Sequence, residues 1–393
     1  MRAPALAFVA SGLVAPSASG QETPIAPASA PATEPQEEPD DPRFWSKQDG
    51  WFDVSGFLDE KYGFLPIVLP ITEPAVGYGA IGALAFFSQP LGAAKDGLGR
   101  PSITAVGGMA TENGTWGALA ADSRYWLDDR LQTVVAVVDA SINLDFHGIG
   151  EASPLDQHPL EYTLAPVGGF LQAKYRLADT LLWAGMSYAY AGTTVNFDAP
   201  AATPGLPDFE HQTRVGGMTP SLTWDSRDNL FTPTRGSYAE LGAGIYSGYL
   251  GGDDEFQRLQ LVLMQYLPVA EELFLGVRAV GAGTFGDAPF YMRPYVDLRG
   301  VPIMRYQGEE TAQLEAELRW RCWERFSLIG FAGGGATWNH SGAFDAVEKV
   351  VSGGAGFRYE LARDYGLHAG LDVAFSRHTA AVYVQIGSAW FRP

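Results

Sequence analysis

The stretch that most limits what this chain can become is 314–321, LEAELRWR. Leu314, Ala316, Leu318 and Trp320 alternate with Glu315, Glu317, Arg319 and Arg321. Side chains of a strand point to alternate faces, so one face here is apolar and the other fully charged. Such a strand needs two solvents. Lipid on one side and an enclosed aqueous lumen on the other supply them, which describes the wall of a membrane β-barrel. The preceding residues, 288–311, carry Arg, Pro and Gly and read as a long loop. Its cation, Arg299, is positioned to fold into that lumen and meet the carboxylates of Glu315 and Glu317.

Period-two alternation recurs along the chain. Val134, Ala136, Val138, Ala140, Ile142 and Leu144 oppose Thr133, Asp139, Ser141, Asn143 and Asp145. Leu171, Ala173 and Tyr175 oppose Gln172, Lys174 and Arg176, and Leu371, Val373 and Phe375 oppose Gly370 and Asp372. In each case the apolar set is expected to face lipid. No helical periodicity competes with this pattern. Turn signals divide the chain into about 16 strands of roughly 9 to 16 residues, the range of membrane barrels. They start near Phe64, Val76, Ser102, Trp116, Leu131, Tyr162, Leu181, Gln212, Ser237, Phe256, Leu273, Ala312, Phe326, Val351, Gly366 and Ala381. Short turns alternate with long connections at 147–160, 197–210, 288–311 and 340–348, and segments 89–100 and 227–235 are long where a short turn is due. The fold class expected is all-β: a transmembrane antiparallel β-barrel of about 16 strands with a lumen-folded loop. The last strand, 381–391, should close against the first.

Ahead of the barrel, 1–20 reads as a signal peptide, with Arg2, an apolar core and a small-residue cleavage region. Residues 21–42 form a Pro/Glu-rich linker expected to be disordered. Residues 43–62 are a short aromatic segment, amphipathic or lumen-plugging, and 63–393 is the outer-membrane barrel.

Charged residues make up 18% of the chain, low for a soluble surface of this size. A net charge of -19 lacks the basic footprint that nucleic acid requires, so no nucleic acid is expected as partner. The single cysteine, Cys322, excludes an internal disulfide and a thiolate metal site, and its apolar phase predicts a packed, inert thiol. The six histidines show no metal-ligand spacing, and no nucleophile or phosphate-loop motif is present. No cofactor, no metal and no catalytic residue are expected. Trp183, Trp224, Trp320, Trp323, Trp338 and Trp390 fall near strand ends, where membrane-interface rings belong.

Segment 225–241, DSRDNLFTPTRGSYAEL, the loop core Leu298, Arg299, Gly300 and the two strands after it resemble the barrel of the bacterial surface antigen family. This is the outer-membrane assembly-factor superfamily that includes BamA and TamA. The resemblance spans the proposed barrel. It implies that Arg299 and Gly300 are the lumen-loop motif, with Glu317 and Glu315 as partners of the arginine. It implies that Pro233, Arg235 and Gly236 belong to a periplasmic turn motif. Val301 stands where the family has an aromatic, and Gly333 where it has an aspartate. The chain is expected to lack the POTRA modules that precede such barrels in assembly factors.

The function that follows is that of a non-catalytic integral outer-membrane barrel, assisting outer-membrane protein or envelope assembly. Its partners would be outer-membrane lipid and other outer-membrane or periplasmic proteins, and it would be monomeric. A porin-like diffusion channel or a passive structural barrel is the alternative. The loop contacts would serve a plug and a moving gate alike.

Overall fold

The computed structural model describes residues 43–60, 63–87, 102–148, 155, 159–197, 209–340, 347–377 and 379–390. The signal and linker expected over 1–42 lie outside the described residues, as do segment 88–101 and Phe391.

Sixteen strands follow in chain order: β1 (Gly63–Ile71), β2 (Gly79–Phe87), β3 (Ile103–Thr111), β4 (Trp116–Trp126), β5 (Leu131–Phe146), β6 (Leu160–Arg176), β7 (Leu182–Phe197) and β8 (Phe209–Asp225). They continue with β9 (Gly236–Tyr246), β10 (Phe256–Ala270), β11 (Leu273–Gly286), β12 (Glu310–Trp323), β13 (Phe326–Trp338), β14 (Glu348–Ala362), β15 (Leu367–Ser376) and β16 (Ala380–Ile386). Each pairs antiparallel with its neighbours in one meandering sheet, β1 through β16. The sheet curls into a nearly closed transmembrane barrel. Among the described residues, no ladder joins β16 to β1.

That seam has a cause in β1. Proline has no N–H, so Pro66 and Pro70, opposite Leu84 and Ala80 of β2, occupy the pairs that exchange no hydrogen bond with β2. Their nitrogens turn to the seam, where two of the donors a closing ladder needs are missing.

The wall obeys the expected alternation at mid-height. Leu314, Leu318 and Trp320 of β12 are exposed to lipid, while Glu315 and Arg319 are buried inside. On β5 the expectation fails. The whole apolar set turns inward: Ala136 and Val138 pack, half-buried, against the same lumen cluster as buried Ala140, Ile142 and Leu144, while Val135, Val137, Asp139 and Asp145 face outward. The reason is length. Strands β5 to β8 have 16 or 17 residues, more than the roughly 9–11 that cross a bilayer. Their ends at the loop rim project past the hydrocarbon, so polarity inverts there. Outside, Thr163 donates to the Asn143 side chain and Asn143 to the Asn113 carbonyl; inside, an apolar cluster forms.

Three further expectations change. Cys322 is exposed, because it shares the outward phase of Leu318 and Trp320. Trp183 and Trp390 are buried, not interfacial. The last strand ends at Ile386; Gly387, at φ +74, turns the chain inward and carries Trp390 into the lumen.

Candidate functional site

The connection from β11 to β12 folds into the lumen as a loop doubled on itself. The Val296 N–H donates to the Tyr306 carbonyl, and Tyr295 bridges Gln307. The Arg258 guanidinium holds its start through the Met292 carbonyl at 2.8 Å. Its tip carries Arg299. Two strand glycines make room for it. A Cβ on Gly335 would lie 2.4 Å from Val296, and one on Gly333 would lie 3.0 Å from Leu298. At Gly300, φ is +83 and a Cβ would meet Ala374 at 3.1 Å, so both backbone and space favour glycine. Its N–H donates to the Tyr383 hydroxyl of β16 at 3.0 Å.

Arg299 gathers three carboxylates. Its Nε donates to Glu315 at 2.8 Å and its Nη1 to Asp372 at 2.9 Å. Glu317 forms an ion pair with Nη1 at 2.7 Å. The guanidinium stacks 3.6 Å from the Phe331 ring centroid. Arg358 grips Asp372 through both oxygens at 2.6 and 2.8 Å, and the Trp390 indole N–H donates to Glu315 at 2.6 Å. Sequence reasoning placed Glu315 and Glu317 beside Arg299 but missed Asp372. Asp372 comes from β15, two strands around the wall from Gly333 on β13. Asp372 was visible as an acid in a lumen phase; only the closure of the barrel brings it near. Each carboxylate faces a cation, so the cluster holds no free base and ties the loop to β12 and β15. Burying such charges is tolerated because each faces a counter-charge.

The loop also touches the far side of the seam. The Ile303 N–H donates to Glu73 in the β1–β2 connection at 3.2 Å. Burial pushes the Glu73 carboxyl up to about 7, with Asp297 adding to the rise and the Ile303 and Ala75 N–H groups opposing it.

The turn between β8 and β9 folds into the rim where β1 begins and β16 ends. Asp228 accepts from the Thr234 and Arg235 N–H groups, and Asn229 from those of Phe231 and Thr232. The Pro233 carbonyl accepts from Arg319 of β12 at 3.2 Å, and the Phe231 carbonyl from the Ser388 N–H. Gly236 has φ +102, and a Cβ there would lie 2.2 Å from the Ser226 carbonyl. The Arg235 side chain is exposed, so this residue enters the turn through its backbone.

Comparison with known proteins bears on this geometry. Residues 217–374, which contain the loop, Arg299 and its three carboxylates, match the Omp85 superfamily domain. That stretch is an Omp85 superfamily domain. The fold of the chain resembles BamA from Haemophilus ducreyi lacking POTRA domains 1-3, at TM-score 0.57 and 11% identity, over 84% of this chain and 70% of that one. CdiB from Escherichia coli gives 0.55 and 10%, over 85% and 61%. CdiB from Acinetobacter baumannii gives 0.53 and 8%, over 82% and 59%. No curated protein sequence matches the chain. Among the described residues, the part ahead of β1 is the short segment 43–60, with no POTRA module.

Proposed function

We propose that this barrel sits in the outer membrane with its terminal rim in the periplasm. There it assists assembly of outer-membrane or envelope components at the seam between β1 and β16, without covalent catalysis. The observation that carries this reading is the seam itself. Fifteen neighbouring strand pairs form ladders while the sixteenth pair, β16 and β1, has none among the described residues. Unpaired strand edges in hydrocarbon are costly, so an edge left open is a place where another chain or a lipid can lie. The likeness to the Omp85 domain and to BamA and CdiB supports the location and the class of partner: outer-membrane lipid and other outer-membrane or periplasmic proteins. A porin-like channel is less well supported, because the loop carrying Arg299 folds into the lumen and is tied to its wall.

The test is reconstitution of the folded protein into lipid vesicles and measurement of how fast a urea-unfolded outer-membrane barrel inserts. Insertion should run faster than in empty vesicles and should stop when a disulfide between Val68→Cys and Val382→Cys ties the seam. Equal rates with and without the protein would overturn the assembly reading. Steady conductance in planar bilayers would favour a channel instead.

A further inference from the structure

Residues 43–60 are tied to parts of the wall that lie on the other side of the seam. Trp45 and Phe52 form a short antiparallel bridge, α1 (Ser55–Glu60) follows, and β1 begins at Gly63. The barrel contacts of this strap are on the turns of β12–β13 and β14–β15. Arg325, in the first turn, is 1% exposed. Its Nε and Nη2 donate to Asp49 at 2.8 and 3.0 Å, and its Nη1 to Asp53 at 2.7 Å. Arg363, in the second turn, donates to Asp49 at 2.9 Å. The Val54 N–H donates to the Leu361 carbonyl at 2.9 Å, the Asp364 N–H to Ser55, and the Tyr359 hydroxyl to the Phe52 carbonyl. Trp51 sits edge-on to Trp323 at 5.3 Å. Leu58 is buried with Ala362 and Leu367, and Leu65 of β1 joins the same cluster.

In the order of the wall, β12 to β15 precede β16, and β1 follows it. The strap therefore runs from β13 and β14 past the ends of β15 and β16 to β1. We propose that it is a clasp: it holds β1 beside β16 where no ladder does, and its release lets the seam part at the terminal rim. Two observations besides the contacts support this. Pro66 and Pro70 deny β1 a full ladder, so the strand needs another tether. The lumen loop spans the same gap from inside, reaching Tyr383 of β16 through Gly300 and Glu73 beside β1 through Ile303. The seam is thus held by two bridges of side chains in place of a row of backbone bonds. The meaning of this clasp for activity rests on the function proposed above; its effect on the seam does not.

The experiment places spin labels at Val68→Cys and Val382→Cys in the full chain, with Cys322→Ser, in lipid nanodiscs. Arg325→Gln should widen the 68–382 separation by about one interstrand spacing, about 5 Å, or more. Asp179→Asn, at a rim pair away from the seam, should leave it unchanged. If Arg325→Gln does not fold, a protease site inserted between Lys61 and Tyr62 and cut after folding severs the clasp from β1. The same widening is then expected. An unchanged separation, in the variant or after complete cutting, overturns the clasp. Widening without any accelerated insertion by the parent protein would keep the clasp and defeat the assembly function; accelerated insertion with an unmoved seam would do the reverse.

Discussion

Along one loop, two fillings of the lumen meet. Toward the loop rim, Phe290, Tyr291 and Met304 pack against Ile142, Tyr162, Leu164 and Val195 of β5, β6 and β7. At mid-height, the same loop offers Arg299 to Glu315, Glu317 and Asp372 on β12 and β15. The first filling is non-directional and scales with area, so neighbours absorb the loss of one side chain in part. The second is directional and mutual. Losing one member leaves buried charges facing each other, which costs more than the pair contributed. The wall reflects the difference. Outside the apolar half lies water, and outside the ionic half lies lipid.

The difference sets the order of effects. Arg299→Ala should cost about 3–5 kcal/mol, read as a lower urea midpoint for loss of heat-modifiable gel mobility. Phe290→Ala, at a half-buried ring, should cost less, about 2 kcal/mol in the same assay. Equal losses would erase the distinction between the halves.

Glu73 sharpens the comparison, because it is a carboxyl that accepts from the Ile303 N–H of the loop and, among the described residues, forms no ion pair with a cation. Its folded value, about 7, lies above the ordinary 4.5. The folded state therefore holds the proton more tightly, and this contribution to stability is full at low pH and lost as pH rises through the window from about 4.5 to about 7. Glu73→Gln should remove that slope, matching the parent near pH 5 and exceeding it near pH 8 by about 2–3 kcal/mol. A parent midpoint flat across that window would show Glu73 paired after all. The smallest effect belongs to Asp179→Asn. Its pair with Arg130 is largely solvent-exposed, so its midpoint should move by less than about 0.5 kcal/mol.

The strand count and every strand start, to within three residues, follow from alternation and turn residues alone, as at Trp116, Leu131, Phe256, Leu273 and Phe326. The direction each face takes was less legible. Alternation says that Ile142 and Asn143 point oppositely but not which of them meets water, and the height of the residue in the membrane decides that. The loop arginine and its β12 partners were reached from the alternation of 314–321 and the cation ahead of it, with family resemblance in agreement. Asp372, Trp390, Tyr383 and Glu73 were not, because they arrive by closure of the wall rather than by spacing along it. Arg325 looked like a turn residue; its partners Asp49 and Asp53 stand more than 270 positions away.

The two prolines of β1 carry one more consequence. A barrel with a bare margin risks fusing permanently with whatever strand it meets, its own kind included. Any guest laid against Pro66 and Pro70 must leave carbonyls unanswered in oil, so the margin can host but not keep. A β1 without prolines would be a stickier surface and a slower one to clear.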